Sequence, residues 1–494
     1  MAKSRLIKGA AIMTAFALVC KLLGTFLRLY TASRIGSEGM GLYSLIMSVY
    51  TLFATAATSG FTLTVSRLAA KYRHRCEADG YFLYKASLIP ALAIGCAAGC
   101  VMFAGAPLLC RDAIKEPLAL DAVRTLAISL PFMSVTSCIK GLFIARNQVI
   151  KNGTGSLTEQ IVKMCIIMLM LGYFMQGEND VSRLCLGMTA GITCGEIFSL
   201  LYLGTFAFFA NDKKGSRLSL SKTAAEVIKV NTPIAASAIA TSMLHTGESL
   251  LIPLMLTGYS GDRAAALAEF GVIRGMVMPL IFFPFALIGG LTTVIVPTVS
   301  YLSSFGSKDE LSKTVSRAMT PAYLLGTVTF GVFFFLSAEA SEVLYPGSDV
   351  ELPLKVISLV ALPMYAETVS DPLLKSLGQE KYTLRYCLIN SALRITAVLT
   401  LIPFTGANGY LALLCVSNVL QYVLAITRLH KTVEYRIAFI KVIGLPLLGT
   451  CVGGAAARLL LYNVSLGGVT GLAVGCLVMF AFALPCMLPA VKTL

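Results

Sequence analysis

Residues 10–30 read AAIMTAFALVCKLLGTFLRLY, an apolar run that nevertheless carries Lys21 and Arg28. About 20 such residues cross a hydrocarbon layer of roughly 30 Å as one helix, so the stretch is a first membrane span, at about 6–33. Runs of similar length recur to the end of the chain, including 230–257, 269–301 and 466–490, and bring the expected total to about fourteen. They are continuous rather than alternating in ten-residue segments, which excludes a β-barrel. Composition agrees. Of 494 residues 56% are hydrophobic and only 13% charged, against about 25% charged in soluble domains. The fold class is an all-α integral membrane protein. The basic residues before the first run raise the possibility of a signal peptide. The run is longer than a signal core, however, and continues through Lys21 without a small-x-small cleavage site, so it is read as a retained span.

Fourteen cysteines lie mostly within apolar runs with no C-x-x-C pair, and there are three histidines. Neither a disulfide framework nor a metal site is expected. No Walker-type phosphate loop, nucleophile motif or nucleotide motif is present, so no cofactor and no covalent chemistry is expected.

Charge placement orients the chain. With the amino terminus in the cytoplasm, 26 of the 40 cations fall in inner segments and at most 6 in outer ones. This obeys the positive-inside rule and puts both termini inside. The net charge of +15 is thus a topology signal and an attraction to anionic lipid, and nucleic acid is not an expected partner. The remaining eight cations lie within spans: Lys21, Arg28, Arg124, Lys140, Lys163, Arg274, Arg394 and Arg458. Lys140 and Arg458 sit near span ends, where a long side chain reaches the interface, and Arg28, near the outer end of the first span, has the same alternative to a cavity position. Lys21 sits mid-span. A charge there costs about 3 kcal/mol on insertion scales and usually faces a bundle interior or a wet cavity. Lys21 and Arg28 are seven residues apart, within about 20° of one helix face. Gly24 lies near the same face. Such a cationic stripe suits an extended anion such as a diphosphate.

Three acidic or basic residues are candidates for ion coupling: Glu196, mid-span, and the pair His245 and Glu248 at i, i+3 in LHTGESLL. A mutually satisfied polar pair is the competing account of the latter two. The eighth span carries Pro279, Pro284, Gly289 and Gly290, a concentration of breakers that marks a candidate hinge. Aligning 41–65 with 271–295 brings Gly41 opposite Gly271 and Gly60 opposite Gly290, in the sense of a parallel six-span repeat. The expected organisation is an amino-terminal lobe at 1–210, a basic cytoplasmic linker at 211–229, a carboxy-terminal lobe at 230–430 and two further spans at 431–494.

The segments KLLGTFLRLYTASRIGSEGMGLYSL (21–45), TSGFTLTVSRLAAKY (58–72), KGLFIARNQVIKNGTGSLTEQIVK (140–163) and GVIRGMVMPLIFFPFALIGGLTTVIVPTVS (271–300) resemble one known group over essentially the whole chain. It is the polysaccharide-transporter branch of the multidrug/oligosaccharidyl-lipid/polysaccharide exporter superfamily, most closely the stage V sporulation protein B family. More distantly the chain is similar to the lipid II flippase MurJ. The resemblance implies two six-helix lobes in a V, two added carboxy-terminal helices that form a groove for a lipid tail, and alternating access in a bacterial plasma membrane. It implies an undecaprenyl-diphosphate-linked sugar as the substrate, envelope-synthesis enzymes as possible partners, and Lys21, Arg28 and Arg274 as the headgroup-binding residues. Lys21 stands where an arginine is usual, and no aspartate follows Arg28. The resemblance therefore identifies the branch better than the glycan. Three rivals predict other features. A drug or cation antiporter of the same superfamily would rely on acids such as Glu196 and Glu248, an envelope glycosyltransferase would need a sizeable outer domain, and a scaffold would not need the intramembrane cations.

Overall fold

The computed structural model describes residues 2–75, 80–146, 148–174, 181–209, 219–435, 437–464 and 467–491, and among these all regular structure is helical. Two compact units emerge from the contacts. One holds the chain up to Leu27 together with Leu42–Leu250; the other holds Arg28–Gly41 and Leu251–Leu494.

The first unit contains most of α1 (Ala2–Thr58), then α2 (Phe61–Arg75), α3 (Gly80–Leu108), α4 (Leu120–Ala145), α5 (Val149–Phe174), α6 (Val181–Phe209) and α7 (Leu220–Ser260) as far as Leu250. Helix α4 packs against α2, α3 and α6, and α5 packs along α6. One core draws Phe61 and Leu68 from α2, Leu83 and Ala91 from α3, Cys138 from α4 and Val227 from α7. Of the expected linker at 211–229, residues 211–218 lie outside the described residues, whereas 220–229 form the first turns of α7 and contribute Val227 to that core.

The second unit contains α8 (Arg263–Phe270), a π-helical turn (Gly271–Val277), α9 (Met278–Phe282), α10 (Ala286–Phe305), α11 (Lys308–Phe335), α12 (Ser337–Leu344), α13 (Glu351–Ser358), α14 (Ala361–Ser376), α15 (Glu380–Thr400), α16 (Ile402–Val433), α17 (Leu445–Val464) and α18 (Gly468–Val491). The side chain of Asp262 caps α8 by accepting from the Ala264 amide at 3.0 Å, as an N-cap should. Arg458 on α17, half exposed, donates to Glu339 of α12 at 2.7 Å, tying the last helix pair to the unit.

Eleven helical stretches of the described residues are long and apolar enough to cross a membrane. The first, Ile12–Ala69, has 58 residues, about 87 Å if straight at 1.5 Å per residue, far more than one crossing. It is broken at Gly36, whose φ of 69° and ψ of −175° suit only a residue without Cβ. Helices α13 and α14 form a pair bent by 57°. Helix α15 carries four charged residues, Glu380, Lys381, Arg385 and Arg394.

The expected eighth span is a succession of pieces. The π-turn precedes Pro279 at the start of α9, and Phe283–Phe285 form a non-helical turn around Pro284. Gly289 and Gly290 lie within α10. Proline has no N–H to give, and shorter bonds close the gap: Phe283 N to Leu280 O at 3.2 Å and Leu287 N to Pro284 O at 3.1 Å. Two buried tyrosines supply further donors. The Tyr365 hydroxyl donates to Ile281 O at 2.7 Å and that of Tyr345 to Met276 O at 3.3 Å. Ahead of the break the backbones run very close. A Cβ on Gly271 would strike the carbonyl of Ser37, and one on Gly41 that of Leu267. The two glycines aligned as repeat equivalents are therefore in direct contact.

Tyr365→Phe removes only the hydroxyl and leaves Ile281 O buried without that donor, a loss of about 1–3 kcal/mol. The melting temperature of the purified protein in detergent is expected to fall, and Gly271→Ala to lower it further, because a backbone carbonyl must move.

Candidate functional site

The second unit brings two of the expected headgroup residues near one tyrosine. Arg28, half-buried on α1, acts electrostatically on the Tyr345 hydroxyl. Burial pushes that hydroxyl up to about 12, with the Arg28 charge pulling the other way. The same hydroxyl holds the carbonyl of Met276, two residues beyond Arg274. Arg274 itself is half-buried on the π-turn, whose other residues are buried. A π-turn carries one extra residue per turn and is common at functional sites; here it presents Arg274 differently from its neighbours.

Lys21 belongs to the first unit. It is exposed on α1, and the Thr25 hydroxyl donates to its carbonyl at 3.0 Å. Gly24 lies against α5, where a Cβ would sit 3.4 Å from Gln160 Nε2. That amide nitrogen is buried without a hydrogen-bond partner, a donor facing the glycine gap between Lys21 and Arg28. Cys20, the residue before Lys21, lies in the field of Glu159, Lys163 and Lys140.

Those three residues and Glu196 are the ionisable groups that α4, α5 and α6 carry in this region. Lys140 on α4 meets Glu159 on α5 at 3.3 Å, with about a quarter and a fifth of the two side chains exposed (26% and 21%). Lys140, expected to reach an interface from its place near a span end, meets this carboxylate on the neighbouring helix. Ser199 on α6 donates to the same Glu159 oxygen at 3.4 Å. Glu196, three residues before Ser199 on α6, is buried. The helices come close enough because α6 carries Gly191 and Gly195 in the run GITCG. A Cβ on Gly195 would lie 3.0 Å from Glu159 O, and one on Gly191 3.1 Å from Lys163 O. Small residues four apart are a recurrent device for close packing of membrane helices.

His245 is exposed on α7, its carbonyl accepting from the Ser249 hydroxyl at 2.8 Å. Glu248, three residues on, is buried to 1% exposure. The two share a helix but not an environment. Glu159, absent from the expected set, was signalled by its i, i+4 spacing to Lys163 in TEQIVK and by GITCGE on the facing helix.

A family model described as "Polysaccharide biosynthesis protein" matches residues 6–303. The chain belongs to the polysaccharide biosynthesis protein family. Within reach of that family, it is 21% identical over 420 residues to stage V sporulation protein B of Bacillus subtilis, covering 83% of this chain and 80% of the relative. Sporulation protein YkvU of the same organism is 18% identical over 363 residues, covering 72% and 78%. Among solved structures, the inward closed conformation of the lipid II flippase MurJ aligns with a TM-score of 0.65 at 13% identity, over 96% of this chain and 98% of that one. The inward-facing conformation of a multidrug resistance MATE family transporter of the MOP superfamily aligns at 0.67 and 12% identity, over 86% and 98%. The polysaccharide biosynthesis protein thus has the all-α, multi-span fold seen in the MOP superfamily, and is a multi-pass membrane protein.

Lys140→Ala leaves the half-buried Glu159 carboxylate without its ion-pair partner, a loss of up to about 3 kcal/mol. Thermal melting in detergent should fall clearly, and Lys140→Ala combined with Glu159→Gln should recover most of the loss. A double variant no better than the single would assign Lys140 a packing role only.

Proposed function

We propose that this polysaccharide biosynthesis protein is a flippase that moves an undecaprenyl-diphosphate-linked sugar from the inner to the outer leaflet of a bacterial plasma membrane. Lys21, Arg28 and Arg274 bind the diphosphate and replace its hydration, while the polyprenyl tail stays in lipid. The observation that carries the reading is the retention of cations within apolar runs: Arg28 is half-buried in the field of the Tyr345 hydroxyl, Arg274 is half-buried two residues before the carbonyl that Tyr345 holds, and Lys21 is exposed on the same helix as Arg28. Retaining three such charges in an apolar segment is costly and is offset when an anion is the ligand. The family's description as polysaccharide biosynthesis protein and the shared fold with a lipid II flippase agree with it.

The chain is read as a transporter rather than an enzyme. It crosses the membrane fourteen times with both termini inside: among the eleven stretches the 58-residue one counts twice and the broken α8–α10 once, and α13–α14 and α15 add one crossing each. Two six-helix lobes, 1–210 and 230–430, alternate access, hinged at Pro279, Pro284, Gly289 and Gly290, and the helices of 431–494 hold the lipid tail. Envelope-synthesis enzymes are its partners in the cell.

Purified protein in nanodiscs should bind undecaprenyl diphosphate, and Lys21→Ala or Arg28→Ala should weaken binding about ten-fold or more each, the loss of a charge-assisted contact of roughly 1.5–3 kcal/mol. Lys21→Arg should bind at least as well as the natural residue. Unchanged binding in the double Lys21→Ala/Arg28→Ala variant would remove the headgroup role of this stripe. Proton-coupled drug efflux dependent on Glu248 would support the antiporter instead.

A further inference from the structure

We infer that the charged end of α15, together with Arg428 of the neighbouring α16, binds the phosphate headgroup of an anionic membrane phospholipid. The site lies wholly in the second unit and uses none of Lys21, Arg28 and Arg274, so it stands apart from the flippase reading.

Helix α15 is held along one side. It packs against α16 and α14, with Thr383, Asn390, Ser391 and Val398 as its buried positions. The other side is exposed and changes character along its length. Lys381 and Arg385 stand on it one turn apart, and Leu384, Leu388 and Ile389 continue it towards mid-span. Positions three, four and seven apart share a helix face, so 381, 384, 385 and 388 form one stripe, basic at one end and apolar beyond. A phospholipid presents the same order, a charged phosphate and then acyl chains.

Arg428 adds a fixed cation. Its guanidinium carbon lies 3.5 Å from the centroid of the Tyr382 ring, and its Nε and Nη2 donate to Gln379 Oε1 at 3.0 and 2.6 Å. Gln379 is uncharged, so the group is oriented without being neutralised, and Nη1 is left to donate elsewhere. Lys431, three residues on, is exposed. Among the described residues none of Lys381, Arg385, Arg428 and Lys431 forms an ion pair, whereas Lys375 close by is paired with Asp371 at 2.6 Å. The acids nearest in sequence are the exposed Glu380 and Glu434, two against four cations. Like charges one turn apart on a helix repel, and an anion between them relieves that repulsion. A guanidinium held on an aromatic ring suits phosphate oxygens. Basic pockets between membrane helices on the cytoplasmic side recognise anionic headgroups, and the orientation proposed above puts this end of α15 at that surface.

Native mass spectrometry of the full chain, delipidated in detergent, tests the site by titration with dioleoylphosphatidylglycerol and, as the zwitterionic reference, dioleoylphosphatidylcholine. The first phosphatidylglycerol should bind about ten-fold more tightly than phosphatidylcholine, as charge-assisted contacts allow. Lys381→Gln/Arg385→Gln should erase that preference. Arg428→Lys, which keeps the charge and loses the fork, should reduce it about three-fold. Lys313→Gln, at an exposed α11 lysine already paired with Asp309 at 2.6 Å, should leave it unchanged. A misfolded variant would lose affinity for both lipids, so the ratio separates folding from recognition. Equal affinity for the two lipids in the wild type, or a preference that survives the double substitution, overturns the site. An equal loss in Lys313→Gln overturns it as well, by making the preference one of overall charge. Undecaprenyl phosphate displacing phosphatidylglycerol from these residues at lower concentration would assign the face to a polyprenyl lipid and overturn the phospholipid.

Discussion

Hydrocarbon supplies no hydrogen bonds, so each backbone donor and acceptor at membrane depth must be satisfied by the protein itself. That constraint governs the second unit at its most irregular point. Pro279 and Pro284 remove two donors from one apolar run, and hydroxyls from later helices bond neighbouring carbonyls of that run. Tyr365 of α14 reaches Ile281 O and Tyr345 reaches Met276 O, both from positions sixty or more residues later in the chain. The irregular segment depends on helices that follow it, and its geometry depends on them in turn: the π-turn that presents Arg274 ends beside the carbonyl that Tyr345 holds.

Charges obey the same economy. Lys140 and Arg458 each sit where a flexible side chain could reach water, and each instead meets a carboxylate within its own unit, Glu159 and Glu339. Ion pairs between helices are worth having in an apolar surround only if the helices approach closely and the remaining lone pairs are met. Gly191 and Gly195 allow that approach between α5 and α6, and Ser199 meets a further oxygen. Glycine packing and the charged cluster are thus one feature. A larger side chain on α6 would separate the carboxyls as well as the backbones.

Much of this was legible beforehand. Apolar run length revealed the helical membrane class, and Pro284 marked the break between α9 and α10. Gly36 and the linker were not legible. GSEG gives no hint that a single left-handed glycine divides one 57-residue helix, and the basic composition of 219–229 concealed that its apolar positions feed the core of the first unit. Lys21 and Arg28, one stripe by helical arithmetic, fall in different compact units, because contacts between helices and not spacing along one helix define a unit. Glu159 was overlooked for the same reason. An acid four residues before a lysine reads as a local pair, and only the packing of α4 and α6 against α5 gives it Lys140, Ser199 and Glu196 as neighbours.

Sequence by itself determined the membrane class, the positions of the apolar runs, the orienting charge bias and the presence of cations where lipid would reject them. These are properties of transfer between water and hydrocarbon, which sum along the chain and need no partner. Tertiary structure alone decided which charges are neutralised. It joined Lys140 to Glu159 and Arg458 to Glu339, and brought Arg28 into the field of Tyr345. Electrostatic interaction falls off over a few ångströms, and distances of that size between helices are set by packing, not by order in the chain.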